Sequence, residues 1–156
     1  MPDSNIKKLI EKTYLKVIEN SIGSKMFRNL YVVFKDSKKT KDVLENGNKS
    51  CAFYVSSVLS LFEMVKKTHA TVKSTFDDMI ESGWKKTKKP QKGDVIIWEE
   101  KKGYTHIGFL WNKKEAISNS SEKKLPIKHS IDFKGKRKII DILHFNFKLL
   151  EKNDKN

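Results

Sequence analysis

The sequence changes character at Pro90. Before it, apolar residues recur at helical spacing. Ile6, Leu9, Ile10, Leu15, Val17 and Ile18 mark an amphipathic helix over 5–20, closed by Ser21 to Gly23. Val55, Val58, Leu59 and Phe62 mark a second, running from Cys51 to about Lys67. A third is predicted from Thr75 to Ser82, with Ser74 as N-cap, Asp77 three residues on and Gly83 as its stop. Residues 26–34 read as an extended segment and 35–49 as a polar loop. After Pro90, short strand-like runs separated by turns take over, at 94–98, 105–111, 115–118, 127–133 and 137–145; the first two are joined by a hairpin turn holding Gly103. Helices followed by an antiparallel meander predict an α+β fold. With 156 residues the expectation is one domain over 1–150, a frayed tail over 151–156, and a monomer.

Cys51 is the only cysteine, which excludes an intrachain disulfide and a cysteine-rich zinc site. It stands where turn residues give way to the second helix. Ser50 is a good N-cap residue, so Cys51 should open that helix. Free backbone N–H groups and the helix dipole favour an anion there, and a thiol so placed is expected to lose its proton more easily. That is a suitable setting for a nucleophile. The plain alternative is a small buried hydrophobe.

The formal charge is +14. Nucleic-acid binding is one reading of it. Yet only Arg28 and Arg137 are arginines, whereas base-reading surfaces lean on arginine. The lysines are spread along the chain, and the runs Lys85–Lys89 and Lys134–Lys138 read as solvated loops. General attraction to polyanions, including an anionic cell wall, is the expected consequence. A basic binding module with a structural Cys51 is the competing class. No apolar run reaches the length of a membrane span, and residues 1–8 lack the apolar stretch of a signal peptide. The protein is then cytoplasmic, phage-released, or exported by a leader that precedes this sequence.

His106 lies on the second strand of the meander. Period-2 alternation puts it on one face with Gly108, whose missing side chain leaves room beside the ring. An imidazole facing the helices across the sheet could take the proton of Cys51 and pair with the thiolate. The order Ser50-Cys51, then Pro90-Gln91-Lys92-Gly93-Asp94-Val95-Ile96-Ile97-Trp98, then His106-Ile107-Gly108-Phe109-Leu110-Trp111 resembles the NlpC-like and CHAP-like branch of papain-fold cysteine hydrolases over about residues 46–130. The resemblance implies a papain-like fold and a peptidase or amidase that cleaves peptidoglycan peptides, or another amide or thioester, without metal or cofactor. It implies Cys51 as nucleophile, His106 as base, and a third polar residue on the next strand. Ser118 is in phase with His106 but short and neutral. Asn119 is the better chemical match and would come round with a one-residue bulge. Asn119 is therefore expected, with Ser118 as the alternative. The Cys51 backbone N–H is the expected oxyanion donor. Tyr31, Asn29, Asn46 and Asn48 are unranked candidates for a second. Asp94 reads as structural, Trp84 and Trp98 as core or cleft wall, His69 as surface, and His129 as a loop residue near the cleft or exposed. His144 rivals His106 in composition only.

Overall fold

The computed structural model describes residues 6–151. The protein is α+β. The elements run α1 (Ile10–Asn20), β1 (Tyr31–Val33), β2 (Thr40–Asp42), α2 (Cys51–Ser60), α3 (Val72–Glu81), β3 (Lys85–Lys86), β4 (Val95–Lys101), β5 (Tyr104–Leu110), β6 (Glu115–Ser120), β7 (Leu125–Ser130), β8 (Ile139–His144) and α4 (Lys148–Glu151). Strands β3 to β8 form one antiparallel sheet in the order β3-β8-β4-β5-β6-β7, while β1 and β2 form a separate hairpin. No helix among the described residues is long and apolar enough to cross a membrane.

Alternation along the strands gives the sheet two unequal faces. Ile97, Ile107, Phe109, Ile117 and Leu143 pack with Tyr14, Ile18, Tyr54, Val55, Val58 and Leu59 from α1 and α2. The opposite face carries a smaller cluster of Ile96, Trp98, Leu110 and Ala116, covered by Ile131, Phe133 and Ile139 from the β7–β8 connection and β8. Tyr14 anchors α1 by donating its hydroxyl to Gly93 O at 2.7 Å. Gly93 has φ +90°, and a Cβ there would stand 2.7 Å from Leu15 Cδ2. Only glycine lets the turn before β4 pass this close to the helix.

Several boundaries differ from the sequence reading. Helix α1 starts at Ile10, and Ile6 and Leu9 are exposed rather than apolar-face residues; residue 5 of the predicted helix lies outside the described residues. The predicted extended segment 26–34 is a strand only over Tyr31–Val33, and the predicted polar loop supplies its partner, β2. Helix α2 ends at Ser60 rather than near Lys67, because Glu63 takes a left-handed φ of 56° and Met64 and Val65 fold into the core. Helix α3 starts earlier than Thr75 because Thr71, not Ser74, caps it: extended Thr71 accepts the Ser74 N–H on its side chain at 3.2 Å. Asp77 pairs with Lys73 instead of closing a capping box. The lysine run at 85–89 is not all loop, since Lys85 and Lys86 pair with His144 and Leu143. Of the predicted tail, Glu151 closes α4, and 152–156 lie outside the described residues.

Candidate active site

Helix α2 opens at Cys51, with Ser50 in the flanking position. Ser50 does not cap by its side chain, and its hydroxyl is buried without a partner. The loop that delivers α2 is organised by Asp42. Burial works upward on the Asp42 carboxyl, but hydrogen bonds from the Leu30 and Asn46 N–H groups, the Asn29 amide and the Leu44 N–H outweigh it and bring its pKa to about 2. Further along, Gly47 O accepts from the Asn119 amide at 2.9 Å. This bond ties the loop to β6 four residues before the cysteine.

The β5–β6 ladder pairs only Phe109 with Ile117 and Leu110 with Ala116. His106 and Ile107 therefore have no ladder partner on β6. At this parting the Ile107 N–H faces the Cys51 sulfur, joined by the N–H groups of Ala52 and Cys51 itself. Burial is the largest influence on the thiol and pushes its pKa up. Those N–H groups and the charge of Arg137 pull it down without overcoming burial. The eased deprotonation expected of a helix start is thus reversed here.

His106 sits opposite Trp98 in the β4–β5 ladder, so both point to the smaller cluster rather than toward the helices. Its ring packs against Trp98 (centroids 5.4 Å apart) and Phe133 (5.5 Å). Burial first, then the charge of Arg137 and the neighbouring His129 ring, hold its pKa down to about 3. Its Nε2 lies 2.8 Å from Ser118 Oγ. The same oxygen lies 2.7 Å from His129 Nε2 on β7. The sulfur and the imidazole are not hydrogen-bonded to each other; sulfur and ring approach the same stretch of β5 from different sides.

Gly108 makes the His106–Ser118 contact possible. A Cβ there would stand 2.6 Å from Ser118 Cβ, 2.7 Å from Ile117 O and 3.1 Å from Trp98 Cη2. The sequence reading placed an open space beside the ring. In the structure Ser118 fills it.

The structure brings Ser118, not Asn119, to His106. The pairing of β6 with both neighbours carries no bulge. Asn119 therefore alternates to the helix-facing side with Ile117, and its amide goes to Gly47 O. Of the second oxyanion candidates, Asn29 and Asn48 spend their amides on Asp42 and Glu45, Asn46 bonds Asp42 by its backbone, and Tyr31 is exposed. Two of the other histidines, His144 and His69, are committed elsewhere. His144 Nδ1 lies 2.7 Å from Asp94 Oδ1, while Asp94 Oδ2 accepts the Gln91 N–H. His69, expected at the surface, is largely buried against Asp78 at 2.7 Å. His129 lies on β7, partly buried, rather than in a loop.

Arg137 is the site neighbour that the sequence reading passed over as part of a solvated lysine run. Its guanidinium donates from Nε to Glu99 O at 2.9 Å and from Nη2 to Tyr104 O, bracing the β4–β5 hairpin two residues from His106. Its charge favours an anionic sulfur and disfavours a cationic His106 ring. Arg28 does similar work by donating to Lys124 O and Lys123 O at the β6–β7 turn. A signal was available: both arginines of a lysine-rich chain serve as forked donors to backbone carbonyls, a geometry an ammonium cannot reproduce. Two surface hollows flank α1, one lined by Leu9, Lys92 and Trp111 and one by Leu9, Leu61 and Phe62; neither includes Cys51 or His106.

Comparison with known proteins finds no family model that matches the chain and no curated protein that matches it in sequence.

Proposed function

We propose that this protein is a cysteine hydrolase of papain-like design that cleaves an amide bond, with peptidoglycan peptides as substrate. One observation carries the reading: the opening residue of α2, Cys51, is set against the Ile107 N–H beside His106, whose Nε2 is already engaged by Ser118. The other ring nitrogen, Nδ1, is left to exchange a proton with the sulfur. At rest no hydrogen bond joins them, and sulfur and ring pack against different clusters, so the transfer requires the ring or the loop before α2 to move when substrate binds.

The depressed His106 and raised Cys51 pKa values define a resting pair that is neutral thiol and neutral imidazole. Proton transfer then accompanies attack. As sulfur bonds to the carbonyl carbon, its proton passes to His106, and the oxyanion receives the Cys51 N–H. The first helix-closing bond runs from Tyr54 N to Ser50 O, so that N–H is free of intrahelical duty. His106 returns the proton to the amine nitrogen as the C–N bond breaks. Water then attacks the thioester, giving its proton to the same ring, and the thiol and a carboxylic acid are released. The lysine-rich surface favours encounter with an anionic wall polymer.

Purified peptidoglycan, digested with the protein and resolved by mass, should yield fragments with new amino and carboxyl ends, and Cys51→Ala should yield none. Absence of fragments from the wild type would remove the wall substrate. Equal digestion by Cys51→Ala would remove the cysteine mechanism.

A further inference from the structure

We propose that His129 is a positioning residue that acts through Ser118 to hold His106 in the tautomer a base requires. The inference rests on the hydrolase reading above for its purpose, and on hydrogen-bond chemistry alone for its existence.

The argument starts at the far end of the chain of bonds. His129 Nδ1 lies 2.7 Å from Ser130 O. A carbonyl oxygen only accepts, so Nδ1 carries a proton. Burial, the larger influence, keeps His129 from charging, although the Ser130 carbonyl works the other way. In the neutral ring Nε2 is then a bare acceptor. Ser118 Oγ, 2.7 Å away, must donate to it. A hydroxyl has one proton, so toward His106 the same oxygen can only accept. His106 Nε2 at 2.8 Å is therefore the N–H nitrogen, and Nδ1 holds the lone pair. Each bond dictates the direction of the next.

The surroundings keep the chain from turning over. His129 stacks on Phe133, with centroids 4.2 Å apart and planes 21° apart, and Trp98 flanks it at 5.8 Å. Ser118 is fully buried, so water does not offer its hydroxyl another partner. A serine alone could not do this. It donates or accepts equally well and leaves both tautomers of His106 open. The histidine behind it removes that freedom, so a short neutral third residue can orient a base.

The test uses the intact protein with 15N-labelled histidine and reads the ring nitrogens of His106 by NMR near neutral pH. Wild type should show a protonated Nε2 and an unprotonated Nδ1. His129→Phe keeps the ring stack but removes the acceptor. The Ser118 hydroxyl is then free to donate to His106 Nε2, and the signals should shift toward the Nδ1–H form. His129→Gln keeps an acceptor for Ser118 and should keep the wild-type tautomer. If the hydrolase reading holds, peptidoglycan digestion should fall about 100-fold or more in His129→Phe, because a base in the wrong tautomer is disabled, and should largely persist in His129→Gln. A wild-type ring protonated on Nδ1, or an unchanged tautomer in His129→Phe, would overturn the proposal. The predicted tautomers together with no wild-type digestion would support the relay and count against the hydrolase reading alone.

Discussion

Gly108→Ala is the sharpest probe of the seam between β5 and β6. The added methyl carbon would meet Ile117 O at 2.7 Å and Ser118 Cβ at 2.6 Å, both well inside the 3.4 Å at which ordinary contact begins. Neither neighbour can swing away. The first is backbone, and the second bears the hydroxyl that joins His106 to His129. Trp98 Cη2, at 3.1 Å, belongs to a fully buried ring whose N–H is bonded to Ile131 O. Relief must come from moving the strands apart, and overpacking of this kind costs about 1–3 kcal/mol. For a domain of this size each kcal/mol lowers Tm by about 2–4 °C, so the loss should be several degrees. Gly103→Ala is the control. Gly103 has φ +81° with nothing within 4 Å of its added Cβ, so it incurs backbone strain without touching the site. Thermal unfolding and the histidine NMR spectrum should be measured for both. Gly108→Ala should lose stability and disturb the His106 ring signals, and Gly103→Ala should leave those signals in place. If Gly108→Ala melts like the wild type with unchanged ring signals, the reasoning that glycine is there to admit Ser118 is refuted.

Acid should weaken the fold through His106, whose pKa is about 3 in the folded protein against an ordinary 6.5. Between those values the unfolded chain binds a proton that the folded one does not, so stability should fall with pH by up to about 1.4 kcal/mol per unit. Urea titrations from pH 7 to pH 4 should show a shallower loss in His106→Gln, and equal slopes would refute the assignment. Ser118→Ala should reduce hydrolysis far more than Asn119→Ala. The latter should instead cost about 1–3 kcal/mol by leaving Gly47 O unpaired, and the opposite ranking in activity would return Asn119 to the base. The iodoacetamide alkylation rate of Cys51 should keep rising beyond neutral pH, because burial raises the thiol; a plateau below pH 7 would reveal a thiolate–imidazolium pair instead.

The sheet was legible because strand signals are local. Val95 to Trp98 and the alternation from His106 to Trp111 stand out in the sequence; β5 forms there within a residue or two, and β4 starts there but runs three residues further, to Lys101. So was the opening of α2 at Cys51, where turn residues meet an apolar period. What stayed hidden depends on which face of the sheet the helices choose. Alternation pairs His106 with Gly108 and Ser118, but it does not say whether that set points toward α2 or away. The reading assumed toward; the Trp98–Phe133 cluster lies on the other side. Asn119 was preferred on chemical grounds, as the stronger acceptor for a ring N–H. A serine becomes adequate only with His129 behind it, and that partner is a strand away in the fold and 11 residues on in the chain.

The same competition decides the state of the sulfur. A helix start and Arg137 both favour a thiolate; the first is visible from residue order, the second only in the fold. Burial at the parting of β5 and β6 acts on sulfur and imidazole together. It raises one pKa and lowers the other, so a resting ion pair is disfavoured from both sides. Arg137 cannot restore the pair, since whatever it contributes to the anion it withdraws from the cation beside it. If the site is the hydrolase proposed above, it keeps its proton on sulfur until a carbonyl arrives. Its base must then already present a lone pair, which is the condition that the Ser118–His129 bonds impose.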